Sequence, residues 1–144
     1  MSSQSVVFAE PVRTAIGTFG GSLKDVPAPA LGAVAIGAAV KRAGLNPDEV
    51  ETVVMGNVVQ AGTKMNPARQ AAVHASLPVT VPALTVNRVC GSGAQAIVSA
   101  AQEISLGNIN AAAVAGGAWF GQVRLPSLLP LRRKHDLRMR TSVA

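Results

Sequence analysis

The apolar residues of this sequence are almost all small, and this feature restricts the folds open to the chain more than any other. Ala occurs 25 times and Val 20 times, against three Phe, one Trp and no Tyr. Helices lined with such side chains can approach a sheet closely, whereas an aromatic-rich binding surface is excluded. The 14 Gly and 9 Pro are spread along the chain, which is neither collagen-like nor low-complexity. A length of 144 residues suffices for one domain with its own core.

Short apolar runs alternate with longer Ala-rich segments along the chain. The short runs are typical of buried strands, and the longer segments begin at Pro-containing caps or end at Gly, as helices do. The alternation predicts an α/β fold in layers, with a mixed sheet covered by Ala-rich helices. The predicted strands are residues 6–9, 52–55, 83–87 and 111–115, and the predicted helices are 28–43, 66–77 and 94–106, with a short helix beginning at 46–49.

Positive charge is concentrated at the end of the chain. Residues 1–118 hold seven Lys or Arg against six Asp or Glu, whereas residues 119–144 hold six against one. This change predicts a boundary near residue 118, followed by a basic tail. A solvated, poorly ordered end is the simplest interpretation of the tail. Nucleic-acid binding ranks last, because only Trp119 and Phe120 could stack on bases and both are far from the basic cluster in sequence.

Several classes of site are excluded by composition. The single cysteine rules out an internal disulfide or a Cys-based zinc site, and His74 and His135 are too few for most transition-metal sites. Gly17, Gly20 and Gly21 lack the spacing of a phosphate-binding loop and are interpreted as turn residues. No signal peptide is recognisable, and the uncharged stretch 104–123 is a poor membrane span. We therefore expect a cytoplasmic protein.

Cys90 is the strongest candidate for chemistry. It stands where a predicted strand gives way to a predicted helix, so that free backbone N–H groups and the helix dipole favour the thiolate. Gly91 and Gly93 allow a sharp turn and the approach of a substrate to the backbone. The alternative is that Cys90 is an inert, buried, small apolar residue, which is common for a lone cysteine.

Three segments resemble the thiolases, the family of acetyl-CoA acetyltransferases and 3-ketoacyl-CoA thiolases. Residues 89–93 (V-C-G-S-G) are similar to the active-site cysteine signature of the family. Residues 13–21 (R-T-A-I-G-T-F-G-G) resemble its N-terminal motif. Residues 56–71 resemble its G-x-V-x-x-A-G…N-x-A-R-Q-A stretch. The resemblance extends over residues 6–117 in the family's order and implies the N-terminal half of a thiolase-like layered fold.

The resemblance also implies a reaction. The thiolase cysteine accepts an acyl group from acyl-CoA as a thioester, which a second acyl-CoA then attacks to give a 3-ketoacyl-CoA; thiolysis is the reverse. Cys90 is therefore the predicted nucleophile, and its backbone N–H is a candidate oxyanion donor. Acyl-CoA is the expected substrate, with no separate cofactor and no metal. Because residues 56–71 resemble the family's dimer interface, a homo-oligomer is expected.

Other thiolase motifs are absent from these 144 residues. The family supplies an activating histidine in G-H-P, an acid/base cysteine in C-x-G and an asparagine in N-E-A-F; His74 and His135 match none of these. Lys64 and Met65 also depart from the residues usual before the N-x-A-R-Q motif. Two hypotheses are therefore considered in addition to nucleic-acid binding. The chain is the nucleophile-bearing part of an acyltransferase with little turnover alone, or it is a non-catalytic interaction module. Residues 119–144 are then interpreted as a remnant of the loop that covers coenzyme A.

Overall fold

A computed structural model of the chain describes residues 5–117 and 127–132. Within these ranges strands and helices alternate, as the apolar runs predict. The residues of the short predicted helix form a single 3₁₀ turn at Pro47–Glu49, where the Asn46 N–H donates to the Glu49 carboxylate over 2.8 Å. The elements in chain order are β1 (Val6–Val12), α1 (Ala28–Arg42), β2 (Thr52–Asn57), α2 (Pro67–His74), β3 (Ala83–Val86), α3 (Ser92–Ser105), β4 (Ala112–Gly117) and β5 (Ser127–Arg132).

A three-stranded parallel sheet of order β3-β2-β4 forms the centre of the fold. The register pairs Val54 of β2 with Leu84 on one side and with Val114 on the other. Strand β2 is buried from Val53 to Asn57, as expected for the middle strand of a parallel sheet with both faces covered. Its last residue, Asn57, is fully buried, and its amide has no hydrogen-bond partner among the described residues.

Helices cover both faces of this sheet. Alternate residues of β2 point to opposite faces, so Val53 and Met55 pack with α1 and α2, whereas Val54 packs with α3. Small side chains bring the layers close together: a Cβ at Gly32 of α1 would lie 3.2 Å from the Met55 Sδ atom. The apolar residues on the α3 face are Val54, Ala96, Ala100, Ile104, Ala112 and Val114. The layered α/β class is therefore confirmed.

The antiparallel part of the expected mixed sheet forms a sheet of its own. Strand β1 pairs with β5 in an antiparallel register that runs from Val6 opposite Arg132 to Val12 opposite Ser127. Strand β5 lies within the basic segment, where the sequence shows no clear periodicity, and it exists because β1 offers it a partner. The rest of that segment, residues 118–126 and 133–144, lies outside the described residues. The predicted boundary near residue 118 stays a prediction.

Helix ends differ from the predicted ones by a few residues. Helix α2 ends at His74 and not at residue 77, because Ser76 adopts a left-handed conformation (φ +60°). The Leu77 N–H then turns back to the Ala72 carbonyl over 3.1 Å, which is a helix-terminating arrangement. Helix α3 begins at Ser92, two residues earlier than predicted. None of the helices in the described ranges has the length and apolarity needed to cross a membrane.

Candidate active site

Cys90 lies in the turn that connects β3 to α3, at the edge of the sheet where the parallel strands have their carboxyl ends. It directly precedes Gly91, the N-cap residue of α3, and its side chain is exposed with a free thiol. The alternative that Cys90 is buried is therefore wrong. Crevices at the carboxyl edge of parallel strands are the usual place for ligand sites in α/β proteins.

The first turn of α3 rests directly on the central strand. A Cβ atom at Gly56 of β2 would come within 2.5 Å of the Ser92 carbonyl group and 2.8 Å of the Gly93 nitrogen. Only glycine therefore lets the start of α3 approach β2 this closely. The position of the turn that carries Cys90 is consequently set by the sheet as well as by its own residues.

The sharp change of chain direction occurs at Val89 and not at the neighbouring glycines. Val89 has φ +48°, in the left-handed region, whereas Gly91 has φ −87° and does not require glycine for its conformation. Gly91 contributes space for this turn, since a Cβ there would lie 3.3 Å from the Arg88 carbonyl oxygen. Sequence patterns do not predict this conformation, because β-branched residues such as valine disfavour the left-handed region.

Two polar side chains contact the Val89 peptide groups, and sequence reasoning assigned a role to neither. The Val89 N–H donates to Oδ1 of Asn87 over 3.0 Å. The Ser92 hydroxyl donates to the Val89 carbonyl over 2.6 Å and accepts from the Arg88 N–H over 2.9 Å. Both residues stand within the cysteine motif region, but only the folded backbone shows which atoms they bind.

The backbone N–H groups around Cys90 differ in their use. The Gly91 N–H donates to the Arg88 carbonyl and the Ser92 N–H to the Val89 carbonyl, each over 3.0 Å. The Cys90 N–H donates in neither of these bonds, and the Cys90 backbone forms an isolated parallel bridge with Arg88. An N–H group in this situation can donate to an oxyanion that forms next to the sulfur.

A chain of side-chain hydrogen bonds supports the first two turns of α3. Arg88 donates through Nη1 to Gln95 Oε1 over 2.7 Å, and Gln95 donates through Nε2 to the Ser99 hydroxyl over 3.1 Å. These bonds join Arg88 to the outer side of α3. They leave Arg88 as an exposed cation on the rim of the candidate site.

His74 lies apart from Cys90. It ends α2, on the face of the sheet opposite to α3, and lines a shallow groove of about 410 Å³ together with Val34 and Ser76. The structure therefore does not bring His74 into the candidate site, as its position outside a G-H-P motif predicts. His135 lies outside the described residues. In the described ranges, no group of three or more His, Cys, Asp or Glu side chains is arranged to hold a metal ion.

Comparison with known proteins gives a consistent result. The family model described as "Thiolase, N-terminal domain" matches residues 6–126. An acetyl-CoA acetyltransferase from Cupriavidus necator is 50% identical over 125 residues, which cover 87% of this chain and 31% of the relative. A probable acetyl-CoA acyltransferase from Staphylococcus aureus is 54% identical over 112 residues, covering 78% of this chain and 28% of the relative. The chain thus spans less than a third of the length of these relatives.

Proposed function

This chain belongs to the thiolase family, and we propose that it is the nucleophile-bearing part of a thiolase-type acyltransferase. One observation carries the proposal: Cys90, within the V-C-G-S-G motif, is exposed at the start of α3, at the carboxyl edge of the parallel sheet. The names of the relatives, acetyl-CoA acetyltransferase and acetyl-CoA acyltransferase, support acyl-CoA as the substrate class.

The first chemical step follows from the position of the thiol. The Cys90 sulfur attacks the carbonyl carbon of an acyl-CoA, a C–S bond forms to Cys90, and the C–S bond to coenzyme A breaks. Coenzyme A leaves as a thiol with the proton that Cys90 gave up, and the acyl group remains on Cys90 as a thioester. The Cys90 N–H, next to the N-cap of α3, is the proposed donor to the negative oxygen that develops during this attack.

The second step needs groups outside these 144 residues. In the proposed reaction a second acyl-CoA loses an α-proton and its carbanion attacks the Cys90 thioester, so that a C–C bond forms and the Cys90 C–S bond breaks. The family's acid/base group for this proton is a second cysteine, whereas this sequence holds one cysteine. The matching histidine and cysteine must come from further chain or from another polypeptide, and we expect little turnover without them.

The remaining features of the proposal concern assembly and location. Acyl-CoA serves as substrate with no separate cofactor, and the protein works as a homo-oligomer in the cytoplasm, in lipid metabolism. Residues 1–118 form the domain that carries the nucleophile, and the basic residues 119–144 approach the phosphates of coenzyme A. The exposed loop around Met65, where Lys64 and Asn66 have positive φ, is one part of the 56–71 segment available for contact with a second copy.

A non-catalytic interaction module is the second candidate. It is favoured by the separation of His74 from Cys90, since no histidine of the described ranges can activate the thiol. Under this hypothesis the family fold is retained for association, and Cys90 accepts no acyl group.

Acylation of Cys90 distinguishes the two candidates. We expect peptide mass spectrometry to find an acetyl group on the Cys90 peptide after incubation with acetyl-CoA, with the part of the C. necator relative beyond the matched region supplied as a separate polypeptide. Hydroxylamine should remove the group, because it cleaves thioesters. The Cys90→Ala variant is the control and should stay unmodified. No adduct on the unmodified chain, even with the added polypeptide, would refute the acyltransferase proposal.

A further inference from the structure

Val89, the residue before Cys90, is held in a conformation that it does not prefer. Its φ of +48° places a β-branched residue in the left-handed region, which is sterically unfavourable for valine. Such a conformation persists only where surrounding contacts require it. The direction in which the chain enters Cys90 therefore depends on the groups that hold Val89.

The backbone N–H and the backbone carbonyl of Val89 each bond to a side chain, and the two side chains belong to different parts of the fold. Asn87, which follows β3, accepts the Val89 N–H over 3.0 Å. Ser92, the first residue of α3, donates its hydroxyl to the Val89 carbonyl over 2.6 Å. Neither bond caps the helix, since the N-cap residue is Gly91 and has no side chain. The two side chains thus serve the turn and not the helix terminus.

Asn87 through its side chain and Ser92 through its backbone are in turn held against the central strand. Asn87 donates through Nδ2 to the carbonyl of Val58, the residue that follows β2, over 2.8 Å. Ser92 is only 2% exposed and packs against Gly56 of β2, where no larger residue fits. The contacts to Val58 and Gly56 bridge about thirty residues of sequence, so the sheet itself is the support for the conformation of Val89.

We propose that Asn87 and Ser92 are positioning residues that hold Val89 left-handed and thereby direct the Cys90 thiol and N–H toward the acyl group. This inference rests on the proposed function of Cys90 and names the residues that orient it. Without Asn87 or Ser92, Val89 relaxes to negative φ, and Cys90 moves away from the start of α3.

The test uses the complete 144-residue chain and the rate at which iodoacetamide alkylates it. Cys90 is the only cysteine, so alkylation reports this residue alone and needs neither acyl-CoA nor other parts of a thiolase. The variants are Asn87→Ala, Val89→Gly and the double variant. Asn108→Ala is the matched control, because it removes an asparagine hydrogen bond, 2.7 Å long, to Glu103 at the other end of α3.

We expect Asn87→Ala to react about two- to fivefold more slowly at fixed pH, because the thiol is no longer held in its exposed orientation next to the start of α3. The alkylation rate of the double variant should recover to within about twofold of that of the unmodified chain, since glycine adopts positive φ without strain. If Asn87 only stabilised the fold, Val89→Gly would not restore the alkylation rate, because glycine makes a weakened turn more disordered. Asn108→Ala should react like the unmodified chain.

Two results would overturn the inference. One is a folded Asn87→Ala variant that reacts as fast as the unmodified chain, and the other is a double variant that reacts as slowly as Asn87→Ala. If far-UV circular dichroism shows that Asn87→Ala is unfolded, Ser92→Ala and its double variant with Val89→Gly take its place. The inference then requires that Ser92→Ala is alkylated more slowly than the unmodified chain and that its double variant recovers the rate.

Acylation by acetyl-CoA separates this inference from the proposed function. If the unmodified chain alkylates and its variants behave as expected, but no acetyl adduct forms with the complementary polypeptide present, the proposed function fails and the positioning role stands. If the adduct forms equally fast in the Asn87→Ala variant, the positioning role fails and the function stands. With both correct, acetylation should fall about tenfold or more in Asn87→Ala.

Discussion

Single residues at the carboxyl edge of the sheet determine whether the cysteine turn can form. Gly56 is the most constrained of them, because its missing side chain leaves the space into which the Ser92 carbonyl fits. Its neighbour Asn57 shows the opposite effect: its amide is fully buried without a hydrogen-bond partner among the described residues, which costs about 1–3 kcal/mol. Both residues lie at the end of β2, and the sequence marks them only as the start of the 56–71 segment.

Replacement of Gly56 by alanine should destabilise the chain. The new Cβ would lie within 2.5 Å of the Ser92 carbonyl, so β2 or the start of α3 must shift. We expect the free energy of unfolding, measured by urea denaturation, to fall by about 1–3 kcal/mol.

Gly37→Ala is the control for that measurement. Gly37 lies in the middle of α1 with no atom within 4 Å of a built Cβ, so alanine there should stabilise by about 0.5–1 kcal/mol. Equal effects of the two substitutions would contradict the close packing of α3 on β2.

At the scale of elements, the path from α2 to β3 is held by side chains at the start of α2. Arg69 in the first turn of α2 donates through its two terminal nitrogens to the carbonyls of Val79 and Val81, each over 2.7 Å. Asn66, the N-cap of α2, also donates to the Ala83 carbonyl of β3 over 2.9 Å. These contacts fix the start of β3, and so the strand that leads into the cysteine turn.

Arg69→Lys should weaken this connection although it keeps the charge. A lysine has one terminal nitrogen and cannot hold two carbonyls in the planar geometry of a guanidinium. We expect a loss of about 1–3 kcal/mol in the free energy of unfolding, measured by urea denaturation. The control is Arg42→Lys at the exposed end of α1, which should change stability by less than about 0.5 kcal/mol. An unchanged free energy of unfolding for Arg69→Lys would show that the carbonyls of Val79 and Val81 do not depend on the guanidinium for their hydrogen bonds.

The helices illustrate how far local sequence predicts elements. Helix α1 was predicted within one residue at its end, because Lys41, Arg42 and Gly44 are local stop signals. The start of α3 was predicted two residues late, because Ser92 and Gly93 are poor helix formers. They enter the helix because the contact with β2 stabilises that first turn, which no local preference reveals.

At the scale of the whole molecule, one edge of the parallel sheet is open. Strand β3 pairs only with β2 within the described residues, and Leu84 on it is 51% exposed. Unpaired strand edges that carry apolar side chains favour association with another chain. This edge is therefore a candidate surface for the predicted homo-oligomer.

Leu84→Lys should weaken self-association. We expect sedimentation velocity at several concentrations to show oligomers of the unmodified chain and at least about a tenfold higher dissociation constant for the variant. The reason is that an apolar contact of this size contributes about 1.5–3 kcal/mol. Val34→Lys is the control, since Val34 is 65% exposed on α1, away from β3. A monomeric unmodified chain at every concentration would contradict the prediction.

The sequence by itself determined the class of the fold, the order of most elements and the identity of the candidate nucleophile. These follow from local properties: apolar periodicity, caps and stops at helix ends, and a cysteine motif placed between a strand and a helix. The family also followed from the sequence, since the segments that resemble thiolases lie within the matched residues 6–126.

Only the tertiary structure decided how Cys90 is presented. The left-handed Val89, the bonds from Asn87 and Ser92, and the place of Gly56 under α3 all depend on β2 and β3 lying side by side. The physical reason is that contacts between residues distant in the chain can impose a conformation that local preferences oppose. Such contacts leave no periodic pattern in the sequence.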